Sequence, residues 1–267
     1  MKTVSPKSIS GKLAFTLIEL LVVIAIIGIL AAMLMPVLSV AQQHARKTQA
    51  KLEISQLANA IQEYNSEYSR FPIPTAVQQA GLSNVTFGGI YNNASGNQWP
   101  PTLPQQGYYP SNSDVIAILM NFTNYPNTNG IIIPTANANY QKNPQQRTFL
   151  SAKMAADNTS PGVGNTDLNY RDPWGNLYII TMDLNEDNKT EDPFYDDASM
   201  SSSTGMPGGA GLNGLIWQAA DNAYAFHGNI MVWSMGPNGP FDHTPSTFDV
   251  TKPATDGSNK NHVLSWQ

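Results

Sequence analysis

The chain contains no cysteine, which at once excludes a disulfide framework, thiolate catalysis and cysteine-ligated metals. A domain built without cysteine in an oxidising compartment must be held by its core, by tight turns or by an oxygen-ligated cation. Charge is also scarce: 12% of the 267 residues are Asp, Glu, Lys or Arg, and the net charge is -5. Such a chain has no basic face for phosphate backbones, so broad nucleic-acid binding is not expected. A recognisable catalytic constellation is missing too. His44, His227, His243 and His262 share no motif with a nucleophile or an orienting acid. The stretch from Gly205 to Gly214 lacks the preceding strand and following helix of a phosphate-binding loop, so it reads as a flexible connection. Trp99, Trp174, Trp217, Trp233 and Trp266 suit core and turn packing better than a sugar platform.

What the chain does have is a polarised N-terminus. Lys2, Lys7 and Lys12 precede any acid, and from Leu20 to Gln43 there is no formally charged residue. The run LLVVIAIIGILAAMLMPVL is long enough to cross a bilayer as a helix rising about 1.5 Å per residue. Basic residues before it place the N-terminus in the cytoplasm and the bulk of the chain outside. A secretory signal peptide fits poorly, because the run exceeds the usual hydrophobic region and continues into a helical pattern. Apolar positions at Ala45, Leu52, Leu57, Ala60, Ile61 and Tyr64 carry that pattern onward, predicting one helix from about Phe15 to about Tyr68. Phe71-Pro72-Ile73-Pro74 ends it. Pro36 removes one backbone donor inside the helix; it either kinks or locally opens it or is simply a proline tolerated in a membrane helix. Gly28 and the Ala31-Ala32 pair allow close helix packing but are also common in any membrane span.

Glu19 is the anomaly: a carboxylate at the edge of the apolar run with no cation in the run itself. Buried alone it would cost several kcal/mol or take up a proton. Cleavage just before Phe15 would supply a partner, a free α-amino group four residues upstream. In a helical stack, the amine of one subunit could then meet Glu19 of its neighbour.

The segment Ala14-Phe15-Thr16-Leu17-Ile18-Glu19-Leu20 closely resembles the processing site of type IV prepilins and type II secretion pseudopilins. The resemblance implies cleavage by a prepilin peptidase between Ala14 and Phe15, N-methylation of Phe15, and a role for Glu19 in assembly and methylation. Ala14 departs from the Gly usual before the cut, but it is also small. The implied organisation is a leader at 1–14, a transmembrane and assembly helix at 15–38, its periplasmic continuation at 39–70, and a soluble domain at 71–267. Implied partners are further copies of the chain, the peptidase and an inner-membrane assembly platform.

Beyond the long helix, residues 72–170 are rich in Asn, Pro, Gly, Ser, Thr and Tyr and read as a loop-rich insert. Within it, 114–122 and 145–156 have helical apolar spacing, and Ser113 is positioned to cap the first. Asp172-Pro173-Trp174-Gly175-Asn176 is a turn. Strands are expected at 177–184 and 229–235, with a third at 262–266. Together these predict an α+β fold in which the long helix lies on a small antiparallel sheet. DPWGNLYII followed by VWSMGPNGPFD resembles the C-terminal core of the major type II pseudopilin.

Asp183, Asn185 and Asp187 have the D-x-N-x-D alternation that wraps a hard cation, with Glu191 and Asp192 nearby to complete a shell. The sixth and twelfth positions are Asn188 and Phe194, which excludes an EF-hand. No cofactor is required by this reading; calcium is the one candidate, and the bland alternative is a solvated turn. The functional expectation is a structural subunit of a type II secretion pseudopilus. An adhesive or DNA-uptake pilin, and a membrane-anchored periplasmic enzyme or binding protein, are the alternatives.

Overall fold

The computed structural model describes residues 16–88, 91–92, 98–99, 107–238, 253–256 and 259–267. Its helices are α1 (Leu17–Tyr68), α2 (Thr75–Gln79), α3 (Ser113–Leu119) and α4 (Ala198–Ser201). Its strands are β1 (Asn84–Phe87), β2 (Tyr91–Asn92), β3 (Gln98–Trp99), β4 (Tyr108–Tyr109), β5 (Gly162–Val163), β6 (Tyr170–Arg171), β7 (Ile179–Asp183), β8 (Ile216–Gln218), β9 (Ala223–Ala225), β10 (Ile230–Ser234) and β11 (Val263–Leu264). The chain divides into two units, and the boundary between Ala45 and Arg46 falls inside α1.

In the first unit, α1 is apolar on every side. Its large side chains from Leu17 to Val40 are all exposed, Met35 at 73% and Ile24 at 60%. A helix with no polar face is a membrane or assembly element rather than a surface helix of a soluble protein. It is the one described helix long and apolar enough to cross a membrane. The helix is unbroken through Pro36, and Ser39 Oγ donates to the Pro36 carbonyl at 3.0 Å.

The second unit begins where α1 acquires a stripe. Ala50, Ile54, Leu57, Ile61 and Tyr64 are buried at alternating spacings of four and three, the seam along which a helix packs on other elements. The stripe ends at Tyr68 because Ser69 turns into the left-handed region at φ 51°, and two prolines follow. Phe71 and Ile73, on either side of Pro72, are buried with the stripe.

Five strands form the central sheet in the order β11-β10-β7-β1-β4. β7 is antiparallel to both of its neighbours, pairing Val85 with Met182 and Val232 with Ile180. All five of its residues are buried, so it is the covered centre of the sheet. Successive side chains of a strand point to opposite faces, and β7 obeys this. Ile180 and Met182 join the cluster containing the α1 stripe and α3. Ile179 joins a second cluster with Tyr195, Met200, Leu215, Tyr224 and Trp233. Two cores therefore lie on opposite faces of one sheet.

Three expectations need correction. β1 and β4 come from the stretch read as a loop-rich insert, and they pair in parallel, so the sheet is mixed and the insert is part of its framework. The segment 145–156 is not helical. It runs extended, with Leu150, Ala152 and Met154 turned inward in alternation, and its amides pair outward: Phe149 N donates to Leu119 O at 2.9 Å and Ala155 N to Val163 O at 2.7 Å. Period two outweighed the helical spacing there. Ser113 does not cap α3 but is its first residue; its own amide donates to Ser111 Oγ at 3.1 Å.

Asn112, the residue just before α3, is fully buried and its side chain serves three backbone groups. Nδ2 donates to the carbonyls of Tyr170 and Tyr178 at 3.0 and 2.9 Å, and Oδ1 accepts from Tyr170 N at 2.9 Å. It thereby ties the start of α3 to β6 and to the entrance of β7.

Candidate assembly site

Thr16 and Glu19 form a reciprocal cap at the start of α1. Glu19 Oε2 accepts from Thr16 N at 2.8 Å and from Thr16 Oγ1 at 2.6 Å, and Glu19 N donates to Thr16 Oγ1 at 3.3 Å. This is the capping box, in which a threonine and a glutamate three residues on satisfy amides the first helical turn leaves free. The carboxylate also sits at the positive end of the helix dipole. Glu19 is therefore not an isolated charge, as its place beside the apolar run suggested. It is exposed and held by its own chain. The T-x-x-E spacing that announces such a box is present in the sequence, masked by the more conspicuous want of a cation. Ala14 and Phe15 lie outside the described residues. Gly28 has open space around it, and Ala32 is exposed while Ala31 is partly covered.

The acidic loop after β7 is organised around its own backbone. Asp183 accepts from the amides of Glu186 and Asn188 at 2.9 and 2.8 Å, while Asp187 accepts from Lys189 N at 3.0 Å and Asn185 Nδ2 at 3.2 Å. Asp192 is fully buried and points the other way, accepting from Thr181 Oγ1 at 2.5 Å, Trp233 Nε1 at 3.0 Å and Phe194 N at 2.9 Å. Glu191 is partly buried beside Asn84. Among the described residues no three acidic or histidine side chains gather to hold a metal ion. In this structure Asp183 and Asp187 close a turn through the loop's own amides, while Asp192 is turned into the sheet.

The histidines and tryptophans are dispersed. His262 is buried, with Tyr195 Oη and its Nδ1 at 2.6 Å, and burial pulls its pKa down to about 3, which keeps the ring neutral. His227 is on the surface beside Gln218, and His243 lies outside the described residues. Trp233 fills the second core and Trp217 and Trp266 border it, whereas Trp174 borders the first. This division leaves no shared aromatic platform among the described residues. The Asp172 turn is a buried cap: its carboxylate accepts from Trp174 N and Asn176 N at 2.8 and 2.9 Å and from Ser234 Oγ.

Asp196, partly buried beside Tyr195 at the rim of the second core, is the expected source of a pH dependence. Burial raises its pKa, and the neighbouring carboxylates of Asp192, Asp197 and Glu191 raise it further, to about 7. A carboxyl whose folded pKa lies above its ordinary 3.8 takes up a proton on folding. Its stabilising contribution is therefore fully present below about pH 3.8 and is lost as pH rises through about 7. Asp196→Asn should remove this dependence, so that wild type gains on the variant in thermal midpoint when melted at pH 5 rather than pH 8. Parallel curves for the two proteins across that interval would show that Asp196 does not titrate there.

Comparison with known proteins matches the N-terminal feature to a family and finds relatives among pilus and secretion proteins. The family model described as the prokaryotic N-terminal methylation motif matches residues 9–35. The chain is 33% identical over 116 residues to the type IV wide pilus major component PilA4 of Thermus thermophilus, covering 38% of this chain and 88% of that protein. It is 33% identical over 94 residues to type II secretion system core protein G of Pseudomonas aeruginosa, covering 35% of this chain and 60% of that protein. The corresponding protein of Dickeya chrysanthemi is 32% identical over 94 residues, covering 35% of this chain and 56% of that protein. No solved structure matches the chain.

Proposed function

Because this chain belongs to the type IV prepilin-like family, we propose that it is a structural subunit of a helical filament, in the subclass that forms the type II secretion pseudopilus. On this reading the precursor crosses the inner membrane once, with its N-terminus in the cytoplasm and residues after α1's apolar half in the periplasm. A prepilin peptidase removes residues 1–14 and methylates Phe15. An assembly platform then draws the subunit into the polymer, where the all-apolar half of α1 exchanges lipid for neighbouring helices.

The observation that carries the proposal is the placement of Glu19: a carboxylate held by Thr16 at the mouth of a helix whose next twenty or so residues expose only apolar side chains, and four positions after Phe15 in the sequence. Within one subunit it accepts from Thr16. On assembly it exchanges Thr16 for the Phe15 amine of a neighbour, a charged donor in a water-poor site, where such a bond is stronger than one to a neutral amide or hydroxyl. Catalysis plays no part in this mechanism, which runs on burial and on one ion pair per subunit.

A type IV pilus subunit is the second reading, favoured by the 88% coverage of the wide pilus component. Imaging distinguishes them: long surface fibres indicate the pilus, and short or absent fibres with a secretion defect indicate the pseudopilus. The filament class itself is tested by the intact mass of the protein extracted from membranes that also contain a prepilin peptidase. A chain beginning at Phe15 with one added methyl is expected. An uncut chain, or one cut after Ala32, would return the anchored-enzyme and signal-peptide alternatives to the front.

A further inference from the structure

Among the described residues beyond α1, the exposed large apolar side chains fall in two stretches of the chain. One is Ile131, Ile132 and Ile133, exposed at 65%, 80% and 44%; the other is Met206 and Ile216, at 65% and 45%. Three consecutive exposed isoleucines are uncommon on a soluble surface unless something covers them.

The isoleucines are presented by a built loop. Its base is clamped by Thr135 N donating to Thr123 O at 3.0 Å and by Tyr125 N donating to Ile133 O at 2.9 Å. Its tip turns through Asn127, Asn129 and Gly130, all in the left-handed region, and Asn127 Nδ2 anchors it to Asn165 O at 3.2 Å. Phe122, Tyr125 and Ala136 root it in the α1-side core. Ile216 lies in β8 between Leu215 and Trp217, which with Tyr224 belong to or border the other core, and Met206 leads into the turn whose Gly209 carbonyl accepts from Tyr224 Oη at 2.8 Å. The two apolar spots thus grow from opposite faces of the sheet.

We propose that the Ile131–Ile133 tip docks on a second copy of this chain, at the surface around Met206 and Ile216. The inference rests on the filament reading and adds a second contact to the one made by α1. Size excludes a free-standing partner: the three isoleucines expose less than two whole side chains of that type, far below the roughly 800 Å² per partner of an independent complex. Such a patch acts when its partner is already held nearby and the effective concentration is high, as between neighbours in a filament. Charge agrees. Residues 123–135 and 203–218 carry no charged side chain in a chain of net charge -5, so these are places where two acidic copies touch without repulsion. The lack of Lys and Arg in the tip also removes the attraction a lipid surface would use. Finally, two unlike patches make a head-to-tail contact, the type that generates an open helical array rather than a closed dimer.

Because the protein has no cysteine, Ile132→Cys creates a single thiol in the full chain. Its reaction with a polar maleimide should be about tenfold or more slower in purified filaments than in detergent-solubilised subunits. Adding Ile216→Cys should give a ladder of disulfide-linked oligomers on mild oxidation, whereas either variant alone should give none. Filaments in which the thiol of Ile132→Cys reacts as fast as in free subunits would overturn the proposal. So would a thiol that stays reactive in filaments and is shielded only by added phospholipid vesicles, which would assign the tip to lipid. A protected thiol without a ladder would overturn Met206 and Ile216 as the receiving surface. An intact mass showing no cut before Phe15, measured on the unmodified chain before any thiol is scored, would sink the filament reading itself. Thermal midpoints equal to the unmodified chain check that each variant folds, and Ile131→Cys replaces Ile132→Cys if that one does not.

Discussion

Glu19→Ala should abolish filaments while leaving membrane insertion intact. The apolar run that drives insertion is untouched by the substitution, and loss of the cap costs the first turn of α1 about 1 kcal/mol. In the filament the loss is larger. The Phe15 amine of each neighbour would be left buried without its counter-charge, a penalty of about 3–5 kcal/mol per contact, repeated at every subunit. The two roles of Glu19 separate in Glu19→Gln, whose amide oxygen still accepts from Thr16 but carries no charge. It should keep the helix start and lose assembly. Thr16→Ala has the opposite character: it removes the hydroxyl partner seen in the structure, keeps the backbone amide of residue 16, and should leave assembly intact. The readouts are membrane fractionation and electron microscopy of the same cells. Normal filaments from Glu19→Ala would remove the ion-pair mechanism.

The largest expected loss of stability falls at Asn112. Asn112→Ala deletes three hydrogen bonds to the backbone of Tyr170 and Tyr178 at a fully buried position. Each buried group left unpaired costs about 1–3 kcal/mol, so the total should reach roughly 3–5 kcal/mol. That is a large share of the roughly 5–15 kcal/mol by which a domain of this kind is stable. Asn112→Asp retains the acceptor for Tyr170 N but loses both donors and buries a charge, so it should not rescue. Denaturant midpoints of the full chain in detergent measure the effect. A shift corresponding to less than about 1 kcal/mol would mean that water or a rearranged loop takes over these bonds.

Legibility in the sequence followed the length of the signal. α1 could be read to its end at Tyr68 because its apolar positions persist over many turns and two prolines stop it. β7, β10 and β11 could be read because β-branched and aromatic residues cluster between turns. The framework contributed by residues 72–170 was hidden, since β4 is two residues long and a strand so short has no periodicity to detect. Its Asn content pointed to loops, yet Asn112 and Asn143 are fully buried and hydrogen-bonded to backbone. An asparagine that substitutes for a missing sheet partner looks, in sequence, the same as one in a solvated turn. The acidic loop is ambiguous in sequence for a related reason: the oxygens that would ligate a cation are the same ones that cap amides. Only geometry shows which they do. At Glu19 the motif was visible on both counts, and the structure added the neutral partner that the charge argument had overlooked.

The first half of α1 is apolar around its whole circumference, and this has a consequence for the symmetry of any polymer it forms. Apart from Glu19 and the small residues Gly28, Ala31 and Ala32, such a rod stores little angular information, since its other sides offer neighbours much the same surface. Such a helix sets how strongly subunits cohere and how far each slides along the polymer, with Glu19 as the stop. The twist from one subunit to the next must then be encoded in the unevenly placed features of the domain beyond Ala45, where substitutions would alter pitch without altering cohesion.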